Sequence, residues 1–157
     1  AMGYVLFNGR GVRRNRKDAL RWFREAAKQG DSDAQYCLAD MYRDGEGTPK
    51  RLKESVYWYR KAAEQGDADA QCSLAYAYFR GIGIEKDWNL AIRWYRKSAA
   101  QNCGPALFSL GESYRDGDGV PKSKRWARYW FQKALANGEE DAAKELAALG
   151  VSGGAKS

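Results

Sequence analysis

The stretch Trp58-Tyr59-Arg60-Lys61-Ala62-Ala63-Glu64-Gln65-Gly66-Asp67 decides the fold, because it recurs along the chain at a constant distance. It returns as Trp22-Phe23-Arg24-Glu25-Ala26-Ala27-Lys28-Gln29-Gly30-Asp31, as Trp94-Tyr95-Arg96-Lys97-Ser98-Ala99-Ala100-Gln101-Asn102, and more weakly as Trp130-Phe131-Gln132-Lys133-Ala134-Leu135-Ala136-Asn137-Gly138. The tryptophans fall at 22, 58, 94 and 130, so the period is 36 residues. Self-similarity at a period between about 20 and 50 residues marks a protein built of stacked supersecondary units. A phrase shared by all units describes framework, so function belongs to the positions that differ between them.

Working outward, the phrase lies on the second helix (helix B) of each unit, with small and large apolar residues at helical spacing. These are Ala19, Trp22, Phe23, Ala26, Ala27, then Ser55, Trp58, Tyr59, Ala62, Ala63, then Ala91, Trp94, Tyr95, Ser98, Ala99. That spacing defines one buried stripe, and the Trp and Tyr rings are both expected in it, with Trp58→Ala costing about 3–5 kcal/mol. The first helix (helix A) carries a small residue, Leu and Tyr at steps of four: Ala34, Leu38, Tyr42; Ala70, Leu74, Tyr78; Ala106, Leu110, Tyr114. Steps of four share one helical face, which is read as core.

Glycine pairs separate helix A from helix B, at Gly9 and Gly11, Gly45 and Gly47, Gly81 and Gly83, and Gly117 and Gly119. The first of each pair is placed at a left-handed helix C-cap, after which Val12, Thr48, Ile84 or Val120 packs back under the turn. Asn15, Asp87 and Ser123 suit the N-cap of helix B, and Arg51 does not. Asn102 stands where other units turn with Gly, tolerable because Asn also enters the left-handed region.

The resulting organisation is an all-α solenoid of antiparallel helical hairpins over residues 1–150. A partial unit occupies 1–30, full units occupy 31–66, 67–102 and 103–138, and a capping helix closes the chain at 139–150. Residues 151–157 are read as a disordered tail. The chain reads as beginning inside a unit, and so as one segment of a longer protein.

Composition narrows the chemistry. With 27 Lys and Arg against 20 Asp and Glu the net charge is +7, and histidine is absent. Imidazole triads and dyads are therefore excluded, and no zinc-ligand spacing exists among Cys37, Cys72 and Cys103. These cysteines are read as small buried hydrophobes in a reducing compartment, with one disulfide or a reactive thiol as the other options. The glycine pairs lack the GxxxxGK[ST] context of a phosphate loop, and Asp116-Gly117-Asp118-Gly119 lacks the further ligands of a calcium loop. No cofactor or metal is expected. No segment approaches the roughly 20 apolar residues needed to span a bilayer and no secretory signal is visible, so the expected location is soluble, in cytoplasm or periplasm.

The unit Ala-x-x-x-Leu-[Ala/Gly]-x-x-Tyr-x-x-Gly-x-Gly-[Val/Ile/Thr], continued by [Ala/Ser]-x-x-Trp-[Tyr/Phe]-x-Lys-[Ala/Ser]-Ala-x-x-Gly, resembles the Sel-one-like repeat (SLR) family over about residues 3–150. The resemblance implies a right-handed α-solenoid related to tetratricopeptide repeats, acting as a non-enzymatic scaffold or adaptor for protein complexes, often in bacteria. It also implies a concave surface lined by helix A residues that turn away from the core stripe.

On that surface the resemblance places Tyr36, Asp40, Arg43 and Asp44, then Cys72, Tyr76, Phe79 and Arg80, then Phe108, Glu112, Arg115 and Asp116, with Tyr4, Phe7 and Asn8 from the partial first unit. Tyr36, Tyr76, Phe79 and Phe108 are the expected apolar anchors of a bound peptide or loop. Arg43, Arg80 and Arg115 are expected to meet carboxylates, and Asp40 and Glu112 basic groups, as aromatic and Arg residues dominate protein interfaces. The other reading of these rings is packing between consecutive A helices.

Two further partner readings stand below this one. A second copy could cover the truncated first repeat. A basic ridge of Arg10, Arg13, Arg14, Arg16, Lys17, Lys50, Arg51, Lys53, Lys86, Lys122, Lys124 and Arg125 could bind nucleic acid or an anionic membrane. Without aromatic interleaving the ridge reads first as a soluble rim.

Overall fold

The structure is a computed structural model that describes residues 15–151, and the described residues form eight α-helices with no strand. Helices α1 (Arg16–Lys28), α3 (Leu52–Glu64), α5 (Trp88–Ala99) and α7 (Lys124–Ala136) are the B helices. Helices α2 (Ser32–Asp44), α4 (Ala68–Arg80), α6 (Gly104–Asp116) and α8 (Ala142–Val151) are the A helices. Two compact units divide at Lys86 and Asp87, the first holding α1–α4 and the second α5–α8. Within each unit every helix packs against the next in sequence. Tyr4, Phe7, Asn8, Arg10, Arg13, Arg14, the apolar face assigned to the partial repeat, and the 152–157 tail lie outside the described residues.

Side-chain bonds show that neighbouring helices run antiparallel. Gln35 Nε2 donates to the Ala27 carbonyl at 3.1 Å, and further along the same pair Arg24 Nη2 donates to the Tyr42 hydroxyl at 3.2 Å. The arrangement repeats one period later, with Gln71 on the Ala63 carbonyl at 3.1 Å and Arg60 on Tyr78 at 2.9 Å. In the second unit Arg96 donates to Tyr114 at 2.9 Å. The Arg of the shared phrase is thus a tie to the Tyr of the next A helix. In the last copy Gln132 replaces the Arg and Gly150 replaces the Tyr, so the tie ends with both partners changed together.

The core corrects one expectation about the shared phrase. Its fully buried ring is the residue after the tryptophan: Phe23, Tyr59, Tyr95 and Phe131 all lie between 0 and 3% exposed. Trp22 is 45% exposed, and Trp58, Trp94 and Trp130 are half-buried. The stripe is centred one position later than expected because Leu20, Val56 and Ile92 are buried beside these rings. That pulls the middle of the stripe toward them and leaves the tryptophan at its margin.

The termini follow the capping chemistry expected of them. Asp87 Oδ1 accepts from Leu90 N at 2.9 Å, Ser123 Oγ from Trp126 N at 3.3 Å, and Asn15 Oδ1 from Asp18 N at 3.2 Å. Arg51 gives α3 no side-chain cap. Replacing it with aspartate is expected to stabilise the chain by about 1 kcal/mol, since a capping carboxylate satisfies a first-turn N–H and favours the positive end of the helix. The lost Arg51–Glu54 contact, 3.7 Å long and exposed, offsets little of this. A rise in the urea midpoint of Arg51→Asp is the measurement, and an unchanged or lower midpoint rejects it.

Gly45, Gly81 and Gly117 cap α2, α4 and α6 in the left-handed region, with φ of 74°, 71° and 87°. The second glycine of each pair has a different task. A Cβ on Gly47 would stand 2.5 Å from the Arg16 carbonyl oxygen, one on Gly83 2.6 Å from the Leu52 carbonyl carbon, and one on Gly119 2.9 Å from the Trp88 carbonyl oxygen. Each inter-helix loop is therefore pressed against the start of the preceding B helix. Asn102 turns at φ 60°, as its side chain allows.

Candidate functional site

The variable positions of α2, α4 and α6 lie off the core stripe; α2 and α6 treat them alike and α4 differently. On α2, Tyr36 and Asp40 are half-buried and Arg43 and Asp44 exposed. Arg43 grips Asp44 with both ends of its fork, Nε to Oδ1 and Nη2 to Oδ2, each at 2.8 Å. Its Nη1 lies 3.0 Å from Asp40 Oδ1 and donates to the Tyr59 hydroxyl at 2.8 Å. That hydroxyl in turn donates to Asp40.

The electrostatics follow from this clasp. Arg43 holds the Asp44 carboxyl below its ordinary value, and the same bond raises the guanidinium. Burial pushes Asp40 up, with the Tyr59 hydrogen bond opposing it. Burial, reinforced by Asp40, keeps the Tyr59 phenol protonated far above its usual range. The Tyr36 phenol rises to about 12, first from burial and then from Asp40 and Asp69. These are neutral phenols and a permanently charged arginine, suited to hydrogen bonding and not to proton transfer near neutral pH.

The second unit repeats the clasp on α6. Arg115 holds Asp116 through Nε at 2.9 Å and Nη2 at 2.7 Å, approaches Glu112 at 3.6 Å, and reaches Glu145 of α8 through Nη1 at 2.5 Å. Asp116 is lowered by Arg115, and Glu112 is raised by burial with Arg115 opposing. Arg43 and Arg115 thus already carry carboxylates from their own chain.

Helix α4 departs from this pattern. Tyr76 takes the position of Asp40 and Glu112, Phe79 that of the clasping arginine, and Arg80 that of its aspartate. No clasp can form. Tyr76 is 49% exposed, Phe79 half-buried and Arg80 exposed with no ion pair among the described residues. At spacing i, i+3, i+4 the three share one side of the helix.

The remaining expected anchors sit deeper. The Tyr36 ring lies 5.9 Å from Tyr59, and the Phe108 ring 5.3 Å from the buried Phe131. Both contacts are packing between helices A and B. Cys72, the counterpart of Tyr36 and Phe108 on α4, is half-buried; Cys37 and Cys103 are likewise half-buried, and no disulfide joins the three. Among the described residues no group of His, Cys, Asp and Glu could hold a metal ion, and no helix is long and apolar enough to cross a membrane.

The described ridge residues, Arg16, Lys17, Lys50, Arg51, Lys53, Lys86, Lys122, Lys124 and Arg125, are exposed. Arg16 is within 3.6 Å of Glu46. Sequence reasoning missed the outward side of α7, where Trp126 and Tyr129 are 48% and 40% exposed. The available signal was the departure of Trp126 from the repeat, since Asp18, Glu54 and Leu90 occupy its position, whereas Tyr129 has Tyr57 as its counterpart.

Comparison with known proteins gives four matches to the Sel1 repeat, at residues 1–31, 32–67, 68–103 and 104–139. A solved Sel1 repeat protein from Oxalobacter formigenes is 36% identical, with TM-score 0.87, over 94% of this chain and 60% of its own. A protective antigen present in uropathogenic Escherichia coli strains, displaying an SLR fold, is also 36% identical, with TM-score 0.89, over 92% of this chain and 31% of its own. This chain therefore spans less than two thirds of either structure. Cysteine-rich protein B of Helicobacter pylori shares the fold at 23% identity, with TM-score 0.67 over 85% of this chain and 96% of its own. No curated protein matches.

Proposed function

The chain belongs to the Sel1 repeat family, and from that premise we propose that its first unit binds a segment of a partner protein along the face of α4, with Tyr76 and Phe79 as apolar anchors and Arg80 receiving a carboxylate. Sel1 repeats are generally protein–protein interaction modules and generally non-enzymatic. The observation that carries the reading is the replacement on α4 of a self-satisfied Arg–Asp clasp by an exposed ring and an unclasped cation. A clasped arginine gains little from a partner carboxylate, because a new contact must displace a bidentate pair. Arg80 pays no such exchange.

Tyr36, Asp40 and Arg43 then act as the wall beside these anchors, Asp40 and Arg43 held by hydrogen bonds to Tyr59 and Tyr36 by ring contact with it. Phe108, Glu112 and Arg115 form the equivalent wall of the second unit. Rigid, pre-positioned side chains lose less conformational freedom on binding, which favours affinity.

Affinity capture with this chain as bait, from the organism that makes it, followed by mass spectrometry, tests the reading. Proteins retained by the wild type are expected to be lost from a Tyr76→Ala/Phe79→Ala double variant whose melting temperature is unchanged. Each truncated anchor is expected to cost about 1–4 kcal/mol of binding. Retention of the same partners by the folded double variant removes this face from the reading.

A further inference from the structure

The outward side of α7 differs from that of the other B helices at two positions, Trp126 and Arg128, while its Tyr129, Trp130 and Lys133 repeat the Tyr57, Trp58 and Lys61 of α3. At the position where Leu20, Val56 and Ile92 are buried, α7 carries Arg128, which is exposed. Its sequence, KRWARYWFQKALA, contains four cations and no acid. Ala127, Phe131 and Ala134 face the core, and the exposed remainder presents Arg125, Trp126, Arg128 and Tyr129. Neither Arg125 nor Arg128 has an ion pair among the described residues.

The rings are held in place before any partner arrives. Trp126 and Tyr129 meet edge to face at 5.4 Å and 85°, and Tyr129 and Trp130 at 5.1 Å and 81°. Tyr114 of α6 supports Trp126 from 6.1 Å, and its hydroxyl is fixed by Arg96. Lys133 Nζ lies 5.1 Å from the Tyr129 ring centre and 5.8 Å from that of Trp130.

We propose that this face is a second docking surface, for an acidic segment of a partner protein that sets carboxylates against Arg125 and Arg128 and apolar side chains on Trp126 and Tyr129. Charge complementarity selects the occupant. A second apolar helix laid on this face would strip water from Arg128 without pairing it, which is costly, whereas an acidic segment pairs it. Trp, Tyr and Arg are also the residue types that concentrate binding energy at protein interfaces. Single-stranded nucleic acid needs open ring faces for its bases. Here Lys133 lies over the rings of Tyr129 and Trp130, which leaves Trp126, among the described residues, as the one ring of the face without a lysine over it. The surface lies wholly in the second unit, so it stands or falls separately from the α4 face.

The test is a random dodecapeptide display library panned on the wild-type chain and counter-selected on Arg125→Glu/Arg128→Glu, whose exposed side chains can change without touching the core. The best enriched peptide is then made with a fluorescein label and its binding followed by anisotropy. Enriched peptides are expected to be rich in Asp and Glu with interspersed apolar residues, to weaken about tenfold or more on the charge-reversed chain and on Trp126→Ala, and to weaken with salt. Peptides without acidic enrichment, peptides that bind folded Trp126→Ala as tightly as the wild type, or the survival of no peptide through the counter-selection overturn the proposal. Fluorescein-labelled dT15 or phosphatidylserine vesicles bound by the wild type and not by the charge-reversed chain, with no acidic peptide selected, overturn it in favour of nucleic acid or membrane.

Discussion

Phe131→Ala is expected to destabilise the protein by about 3–5 kcal/mol, and Trp130→Ala, one residue earlier, by roughly half as much. Phe131 is 0% exposed and lies over Gly111, where a Cβ would come within 2.6 Å of its ring. The sequence supplies the hole and the knob together: Gly111 stands where the other A helices carry Ala39 and Ala75. Removing the ring leaves a cavity beside the Gly111 backbone and Phe108, and a helix backbone cannot move in to fill it, so the loss exceeds the transfer free energy of the ring alone. Trp130 is only half-buried, and water already reaches part of its surface. The same order is expected for Tyr59 over Trp58, the reverse of what prominence in the repeated phrase suggests. Urea unfolding of the four alanine variants measures it, and equal losses at 130 and 131 reject the assignment of the core ring.

The second large effect is at the inter-helix loop. Gly83→Ala is expected to cost about 2–5 kcal/mol, from two sources that act together. At φ 69° an L residue is strained, by roughly 1–2 kcal/mol. Its methyl would also stand 2.6 Å from the Leu52 carbonyl carbon, a backbone atom that cannot rotate aside, and such overpacking adds about 1–3 kcal/mol. Gly66 separates the two terms. Its φ is 100° and nothing lies within 4 Å of its would-be Cβ, so Gly66→Ala bears only the conformational cost. A loss for Gly83→Ala in urea unfolding of no more than about 1–2 kcal/mol, the conformational cost alone, would show that the loop does not press on α3.

Local chemistry made much of the architecture readable. Period, helix order and the glycine C-caps depend on neighbours within a few residues, as do the capping roles of Asn15, Asp87 and Ser123 and the missing cap at Arg51. The position of the stripe's centre does not. Trp22 and Phe23 are adjacent, and both fit an apolar arc about 100° wide; only the surfaces of the facing helices decide which one is enclosed. Of the candidate site, the outward positions of helix A were legible as variable positions on a repeating frame. Their engagement was not, because Arg43 bonds to its immediate neighbour Asp44 and to Tyr59 of another helix, neither of which helical spacing pairs.

By itself, then, the sequence determined a 36-residue unit of two helices, its turns and its Sel1 kinship, since each rests on spacing and local conformational preference. Tertiary structure alone decided that the repeated tryptophan is marginal and its aromatic neighbour central, and that Arg43 and Arg115 are clasped by carboxylates of their own chain. It also decided that α7 turns Arg128 outward where its counterparts bury Leu20, Val56 and Ile92. The physical reason is common to all three. Burial and pairing depend on what the neighbouring helices bring, and in a repeat protein the same local sequence meets a different neighbour at each step.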